Sequence, residues 1–300
     1  MTLPVMLSMI VLVVLWGSAF PAIKLALTGM TPGHFTLLRF IAASLCFIIY
    51  GLVRRKRLLP AARDLGYVFL LSVLGVSFYH SALNFGQAKV SAGAASLIIA
   101  TAPAMSAALA SLLLHEYLPK LAWGGLAVSL AGVGLIVLGN PSSADTTTSP
   151  TAVNPYALLI LAAALSTAFF VVLQKPMLKR YSSLDLAGFI TVLGTLPLII
   201  FAPGLLTDLA DASPVALGAA IYAGIFPAAL CYVIFAYALA NTSVAQVTTM
   251  LYLVPVVSTL FAWFLLGEVP TQLTFIGGFV ALLGVLIVQQ TKRKAISSSP

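Results

Sequence analysis

The sequence predicts an all-α integral membrane protein whose ten transmembrane helices form two inverted five-helix repeats, with both termini in the cytoplasm. Three observations predict this fold: the hydropathy of the chain, the placement of its basic residues and an internal repeat. Hydrophobic residues make up 61% of the 300 residues and charged residues only 7%, and the mean hydropathy is +1.10. Because soluble domains carry roughly 25% charged residues, this composition excludes a water-soluble globular domain.

Ten apolar runs, separated by polar or Pro/Gly breaks, supply the predicted spans. A helix needs ~20 residues to cross the ~30 Å of bilayer hydrocarbon. The runs are continuous rather than alternating, which excludes a transmembrane barrel. The first run lacks the basic start of a signal peptide and therefore counts as a span. The runs lie at residues 4–28, 33–53, 65–86, 91–114, 121–139, 155–174, 184–202, 215–239, 244–266 and 273–290.

Basic residues cluster on one side of these predicted spans. Twelve of the fifteen Lys and Arg lie there: Arg54, Arg55, Lys56, Arg57, Arg63, Lys120, Lys175, Lys179, Arg180, Lys292, Arg293 and Lys294. The opposite side carries Asp145, Asp208, Asp211 and Glu268, with only Lys24 and Lys89 against them. Because cytoplasmic loops carry the excess of Lys and Arg, both termini are predicted to be cytoplasmic. The net charge of +8 is therefore explained by the basic loops at the cytoplasmic membrane surface, and no nucleic-acid partner is expected.

The chain contains two copies of one unit. A shift of 152 residues aligns the third to fifth spans with the eighth to tenth, pairing Pro103 with Pro255, Glu116 with Glu268, Gly125 with Gly277 and Gly132 with Gly284. Because each copy has five spans, the second copy must be inverted in the membrane. The predicted organisation is a first repeat at 1–139, an extracytoplasmic linker at 140–154, a second repeat at 155–291 and a basic cytoplasmic tail at 292–300.

Several motifs resemble those of EamA-type carriers of the drug/metabolite transporter superfamily. They are WGSAF at 16–20 followed by AIK at 22–24, LRF at 38–40, Pro103 followed by LLLHE at 112–116, and Pro255 followed by LLGE at 265–268. The resemblance covers roughly 8–138 and 155–288. The second copy departs from it, with LSTAF at 165–169 and no arginine that matches Arg39. The resemblance implies a carrier that exports amino acids and related metabolites, with helices one to four and six to nine around the cavity.

Polar side chains recur at helical spacing in the third predicted span. Ser77, His80, Ser81 and Asn84 lie three or four residues apart and share one helical face. Polar groups at bilayer depth are expensive, so this face either lines the cavity or forms hydrogen bonds between helices. His80 has the clearest functional implication of these residues, because the unperturbed pKa of histidine, ~6.5, allows a change of charge near neutral pH. A neutral imidazole that donates to a neighbouring helix is the alternative.

Two prolines at matched positions predict hinges. Pro103 and Pro255 each remove a backbone N–H in the middle of a span, which bends or opens the helix. Aromatic and hydroxyl side chains in the neighbouring spans complete the predicted substrate path, whose members are Trp16, Phe20, Arg39, Ser77, Tyr79, His80, Asn84, Phe169, Tyr232, Thr248, Tyr252 and Ser258. Such a wall suits a small amphipathic solute better than a phosphorylated one.

Arg39 has two interpretations that the sequence leaves open. It either binds a helix C-terminus or backbone carbonyls, or it attracts a substrate carboxylate, which a guanidinium binds bidentately. No Asp or Glu lies at a span centre, so the sequence has no obvious sodium site or carboxylate proton relay. Cys46 and Cys231 fall inside spans as small buried residues. No metal site and no cofactor are predicted.

Glycines mark the fifth and tenth spans. Gly125 and Gly132 are seven residues apart, as are Gly277 and Gly284, so each pair lies on one helix face. Small residues let helices approach closely in lipid, and these two spans are predicted to pack together as a scaffold.

The predicted function is secondary transport of small amphipathic metabolites out of the cell by alternating access, with amino acids, and aromatic or hydrophobic ones among them, as the expected solutes. The direction of transport rests on the resemblance alone. The alternatives are a channel-like facilitator, or a carrier for drugs or phosphorylated metabolites. No motif for hydrolase, metalloprotease or nucleotide chemistry occurs, so no enzyme is expected. The expected partners are the solute and the lipid bilayer, the expected location is the bacterial inner membrane, and a monomer is expected.

Overall fold

The computed structural model describes residues 2–115, 117–139, 154–242 and 244–297, and every regular element in those ranges is a helix. In chain order the long helices are α1 (Leu3–Ala26), α2 (Pro32–Val53), α3 (Ala62–Gln87), α4 (Ala92–Leu114), α5 (Lys120–Gly139), α6 (Pro155–Leu173), α7 (Ser183–Phe201), α8 (Pro214–Ala238), α9a (Val244–Leu251), α9b (Val254–Leu266) and α10 (Gln272–Ser297). Short helices at Lys175–Leu178 and Leu205–Asp211 lie between α6 and α7 and between α7 and α8.

Nine helices in the described part of the chain, α1 to α8 and α10, are long and apolar enough to cross a membrane. The region of the ninth predicted run is divided into α9a, of 8 residues, and α9b, of 13 residues, by Tyr252 and Leu253. The helix ends agree with the predicted runs to within about three residues, except that α10 continues through 292–297, a stretch predicted as tail. Glu116, residues 140–153 of the predicted linker and residues 298–300 lie outside the described residues.

Side-chain caps account for several helix starts. The Ser91, Ser182 and Ser213 hydroxyls accept hydrogen bonds from the backbone N–H groups three residues on, and Asn154 caps α6 through the N–H of Tyr156. Each cap satisfies a backbone donor that the helix itself leaves without a partner. Proline follows the cap at α2, α6 and α8, where its missing N–H costs nothing.

The most extensive contacts between helices join α1–α5 to α6–α10. Helix α1 packs against α8 and α9b, and α6 packs against α3 and the second half of α4. Helix α2 packs against α7 and α8, and α7 packs against α3; α4 meets α9b, and α5 meets α10. This set of contacts is symmetric: if α1 and α6 are exchanged, and likewise α2 and α7, α3 and α8, α4 and α9, and α5 and α10, the same set of contacts results.

Close glycine contacts give the relative direction of α5 and α10. A Cβ atom added to Gly125 would lie 2.8 Å from the carbonyl oxygen of Gly284, and one added to Gly132 would lie 2.6 Å from that of Gly277. The partner numbers fall as the α5 numbers rise, so the two helices are antiparallel. Helices α2 and α7 are antiparallel as well. Gly33, near the start of α2, lies against Phe201 at the end of α7, and Phe47, towards the end of α2, lies against Gly188 near the start of α7.

Four helices in the described part of the chain contain a π-helical turn or an interruption, at paired positions. Helix α3 contains a π-helical turn at Val73–Phe78, and α8 contains one at Phe226–Leu230. Helix α4 is interrupted at Ala100–Thr101, and the ninth region is interrupted 152 residues later, at Tyr252–Leu253. Pro103 and Pro255 are each the second residue of the helical segment that follows the interruption. Both prolines therefore start a new helical segment rather than kink a continuous one.

Candidate functional site

The side chain of Arg39 is buried among the helices without a counter-charge. The residue is 4% exposed, and its Nε and Nη1 atoms have no hydrogen-bond partner. Among the described residues no carboxylate pairs with it. An unpaired buried charge costs several kcal/mol. The protein therefore keeps a strong anion-binding group at a position where it lowers stability.

Aromatic side chains surround this guanidinium. Its central carbon lies 5.6 Å from the ring centre of Phe40, and that ring lies 4.5 Å from the ring of His80. Tyr79 on α3 and Tyr232 on α8 are close enough to interact electrostatically with Arg39. We call these five residues, Arg39, Phe40, Tyr79, His80 and Tyr232, the Arg39 cluster.

The two π-helical turns place the tyrosines of the Arg39 cluster. Tyr79 is the residue directly after the turn in α3, and Tyr232 is the second residue after the turn in α8. Such turns often occur at functional sites, because they shift the helix face by one residue and free backbone carbonyls. Helices α2, α3 and α8 thus bring aromatic and basic groups together at one place.

Side chains from other helices hold both π-helical turns. The Ser166 hydroxyl of α6 donates to the Leu74 carbonyl, at 2.8 Å, and the Trp16 indole N–H of α1 donates to the Pro227 carbonyl, at 3.1 Å. Trp16 and Ser166 therefore have similar roles in the two halves: each is on the first helix of one half and binds a turn in the other. The Ser77 hydroxyl adds a bond of 2.7 Å from the α3 turn to the Gly194 carbonyl of α7.

The polar residues of α3 contact two neighbouring helices. Ser77 contacts α7, whereas His80 lies against the ring of Phe40 of α2, and the Asn84 amide N–H donates to the Thr36 hydroxyl of α2 at 2.7 Å. Helices α2 and α7 pack against each other, and the single polar face stays a prediction. Nδ1 of His80 is buried and has no hydrogen-bond partner.

The remaining members of the predicted substrate path lie in several places. Phe20 is buried, and Phe169 is half-buried on α6. Tyr252 packs in a cluster with Ala104 and Ala108, and the Ser258 hydroxyl donates to the Ala92 carbonyl at 3.4 Å. The side chain of Thr248 lies outside the described part of the chain.

Sequence reasoning missed Gln87, a fully buried amide at the end of α3. Its Nε2 donates to the Phe20 carbonyl at 2.5 Å, and its Oε1 atom has no partner. The Oδ1 atom of Asn84, one helical turn earlier, is also buried and without a partner. The signal was present, since Gln87 extends the series of polar residues by three positions, but it lies one residue beyond the predicted third span, 65–86.

Ionic contacts connect the two halves at the end of the bundle that contains Lys24. Lys24 lies 3.9 Å from Glu268, whose other oxygen accepts from the Ala92 N–H at 2.8 Å. His34 contacts the carboxylate of Asp208. The hydrogen bond from His34 lowers the pKa of Asp208, and the backbone N–H of Thr31 adds to this effect.

A second set of ionic contacts lies at the end that contains Asp64. Arg180 pairs with one oxygen of Asp64, and the Tyr181 hydroxyl donates to the other at 2.7 Å. The Tyr181 hydroxyl also accepts from the Ala61 N–H at 3.0 Å. Asp64 and Ala61 belong to the first half of the chain and Arg180 and Tyr181 to the second, so the halves are connected at both ends of the bundle.

The long apolar helices and the polar cluster buried between them define a polytopic α-helical membrane protein. The chain belongs to the EamA-like transporter family, because the model of that family matches residues 3–138 and, a second time, residues 154–289. The resemblance found in the sequence motifs is thereby confirmed, and the protein is a multi-pass membrane transporter.

Individual relatives match along nearly the whole chain. It is 36% identical over 284 residues to the "Uncharacterized transporter YdfC" of Bacillus subtilis, covering 95% of this chain and 90% of that protein. It is 35% identical over 296 residues to the "Probable terminal-alkyne amino-acid exporter" of Streptantibioticus cattleyicolor, covering 98% of this chain and 96% of that protein. A solved crystal structure shares the fold, with a TM-score of 0.63 at 16% identity, and the match covers 98% of this chain and 99% of that one.

Proposed function

We propose that the protein exports small amphipathic metabolites, most directly amino acids, by alternating access, and that it is not an enzyme. The observation that carries this proposal is the buried guanidinium of Arg39, whose Nε and Nη1 atoms have no partner. A carboxylate of the solute would bind one of the two bidentate edges of the guanidinium, each of which includes one of these donors. Binding would thus compensate the cost of burying the charge, and the solute would bring the counter-charge that the site lacks.

The chemistry around Arg39 favours a small amphipathic carboxylate over a phosphorylated solute. Phe40, Tyr79 and Tyr232 supply aromatic surface with phenol groups at its edge. A phosphate dianion would need several cations, whereas Arg39 is the one cationic side chain that the described residues bring to this cluster. The Streptantibioticus relative is named a probable amino-acid exporter, which supports an amino acid as solute and export as the direction.

We further propose that the chain crosses the membrane ten times, as two inverted repeats at 1–139 and 155–291. In this arrangement α9a and α9b cross together as one interrupted span. Two matches to one family model support the repeat, and the antiparallel contacts between α5 and α10 and between α2 and α7 support the inversion. The positive-inside rule then assigns the Asp64 end to the cytoplasm of a bacterial inner membrane and the Lys24 end to the outside.

Alternating access requires that the halves separate at one end while they stay closed at the other. The Lys24–Glu268 and His34–Asp208 pairs would close the outer end, and the Asp64–Arg180 pair would close the inner end. The interruptions before Pro103 and Pro255 are our proposed hinges, since two short helical segments can tilt independently there.

Counterflow in liposomes tests this function. Purified protein in liposomes loaded with unlabelled amino acid should accelerate uptake of the labelled form, which a channel does not do. Arg39→Gln should lower the rate at least about tenfold, because hydrogen bonds to a charged group are lost. Arg57→Gln, a charge change between α2 and α3, should leave the rate within about twofold. Equal counterflow in the Arg39→Gln variant would exclude Arg39 as the carboxylate anchor, and flux without counterflow would indicate a channel.

Reporter fusions test the orientation. A periplasm-active reporter should be active when fused at Ser143 and inactive when fused at Arg55. The opposite pattern would reverse the proposed orientation.

A further inference from the structure

We propose that the amide oxygens of Asn84 and Gln87 form a subsite for the ammonium group of the solute. This inference rests on the proposed function and deepens it, because it selects zwitterionic amino acids over carboxylates that lack an amine. It assigns a role to buried acceptor atoms that are otherwise costly to the fold. An unsatisfied buried acceptor costs the desolvation of that atom, and two of them lie one helical turn apart on α3.

The hydrogen bonds around Asn84 fix which end of its amide is free. The Thr36 hydroxyl donates its proton to the Pro32 carbonyl at 2.6 Å. It therefore accepts at its contact of 2.7 Å with Asn84, and the Asn84 atom in that contact must be the N–H donor. The remaining atom, Oδ1, is the buried acceptor without a partner, and the residue is 0% exposed.

The orientation of Gln87 is fixed more directly. Its amide contacts the Phe20 backbone carbonyl at 2.5 Å, and a carbonyl can only accept. The atom that contacts Phe20 is thus the N–H group, which leaves Oε1 as a second buried acceptor. Neither amide can turn over without losing its one hydrogen bond, so both oxygens are held as acceptors.

The Asn84 acceptor lies one helical turn from the Arg39 cluster, and the Gln87 acceptor lies three residues further along α3. Phe40 meets His80 at one level, and Thr36 meets Asn84 at the next, four residues away on each helix. Four residues rise ~6 Å along an α-helix. Two hydrogen bonds of ~2.9 Å each and the linkage between the charged groups of an amino acid span more than that distance. One solute molecule is therefore long enough to extend from the donors of Arg39 to the amide oxygens.

The unpartnered donors and acceptors of this region are complementary to the two charged groups of a zwitterion. Arg39 offers donors that need an anion, and Asn84 and Gln87 offer acceptors that need a donor. The acceptors are neutral amides, so they stabilise an ammonium by dipoles rather than by a full charge. A solute with a carboxylate and one ammonium satisfies both ends, whereas an amine without a carboxylate leaves Arg39 unpaired and is repelled by it.

Binding to the purified full-length protein, measured by calorimetry, tests the subsite. The probes are L-phenylalanine, 3-phenylpropionate, which lacks the ammonium, and phenethylamine, which lacks the carboxylate. The wild-type protein should bind L-phenylalanine at least about tenfold more tightly than 3-phenylpropionate, and phenethylamine more weakly than either. Equal affinity for the first two probes would overturn the proposal. The amide oxygens would then accept hydrogen bonds from buried water instead of from the solute.

Variants separate the amine subsite from the carboxylate anchor. Asn84→Leu keeps the side-chain shape but removes the oxygen, and it should weaken L-phenylalanine about tenfold while 3-phenylpropionate stays within about twofold. Gln87→Met is the second variant, with the same expectation, if Asn84→Leu does not fold. Ser72→Ala is the matched control, because its buried hydroxyl donates to the Val68 carbonyl within α3 and contacts neither amide oxygen; it should leave both affinities within about twofold.

The outcomes distinguish the two levels of inference. If wild-type protein binds both carboxylates and Arg39→Gln weakens both, the carboxylate anchor stands, and the Asn84 result alone decides the subsite. If Asn84→Leu and Gln87→Met weaken both carboxylates equally, the subsite is overturned. The same holds if they abolish a dependence of binding on sodium, because the amide oxygens then bind that cation. If no probe binds to wild-type protein, the proposed function fails, and the subsite fails with it.

Discussion

The contact between α5 and α10 differs in kind from the bonds made at the π-helical turns of α3 and α8. In the first pair, glycine backbones are in direct contact, so that any Cβ at Gly132 would lie 2.3 Å from a backbone nitrogen of α10. In the second pair, each helix contains a π-helical turn whose carbonyls accept hydrogen bonds from side chains. A contact between backbones has one arrangement, whereas a side-chain bond to a freed carbonyl can be exchanged for another. We call the glycine contact between α5 and α10 the fixed joint between the halves. It is distinct from α3 and α8, which carry residues of the Arg39 cluster.

The largest effect is expected where the fixed joint is disrupted. Gly132→Leu should prevent the approach of α5 to α10 and lower the yield of folded protein severely, because neither backbone can move away easily. Thermal unfolding in detergent and size-exclusion profiles measure this effect. Gly134→Leu is the matched control on the same helix, since a Cβ there meets no atom within 4 Å. Similar behaviour of the two variants would contradict the fixed joint.

The next effect concerns the interruptions in α4 and α9. Replacing both Pro103 and Pro255 by alanine restores the missing N–H groups and favours continuous helices. We expect counterflow to fall about tenfold or more while expression and thermal unfolding stay close to wild type. Each single variant should have an intermediate effect. Normal counterflow by the double variant would show that the interruptions are packing features and not hinges.

A smaller effect is expected at the bonds that hold the π-helical turns. Ser166→Ala removes the bond to the Leu74 carbonyl, at a cost of about 1 kcal/mol. Because Tyr79 follows that turn directly, the loss should weaken solute binding several-fold and change stability little. Ser106→Ala serves as the control, since its hydroxyl donates to the Ala102 carbonyl within its own helix. Binding assays that fail to separate the two variants would mean that the turn does not position the Arg39 cluster.

The sequence predicted the helices of this fold far better than the details of its candidate site. Continuous apolar runs mark helices because lipid leaves the backbone no other way to satisfy its polar groups. The glycine spacing of α5 and α10 was likewise readable, since close approach in lipid needs residues without side chains. Periodicity also placed Arg39 and His80 inside spans, but it could not show which helices face them.

The π-helical turns explain most of what the sequence did not reveal. Hydrophobic periodicity assumes a regular α-helix, so it could not predict the π-helical turn at Val73–Phe78, in which Ser77 lies. Nothing in the local composition marks such a turn, because it depends on bonds from distant residues such as Ser166. The same holds for Gln87, whose role depends on the Phe20 carbonyl, 67 positions away in the chain.

The smallest expected effect concerns the contact between His34 and Asp208, which lies outside both regions of the comparison. The pKa of Asp208 is lowered mainly by the hydrogen bond from His34, so folding favours the ionised carboxyl. A lowered carboxyl pKa stabilises the folded state at pH values above the ordinary value of 3.8, and this contribution disappears as the pH falls through the lower, folded-state pKa.

Asp208→Asn should therefore lower the melting temperature by only about 1–2 °C at pH 7, because the contact is partly exposed to solvent and screened. The difference from wild type should grow as the pH falls from 7 to about 5, because Asp208 also favours protonation of His34 and the pair is fully charged there. It should then shrink below the ordinary pKa of an aspartate. Ser182→Ala, a change at an exposed cap of α7 at the opposite end of the bundle, controls for the loss of an unrelated hydrogen bond. A difference that keeps growing below the ordinary pKa of an aspartate would contradict the assignment of the ionised form to Asp208. A drop as large as that of Gly132→Leu would mean that this end of the bundle, and not α5 with α10, is the fixed joint.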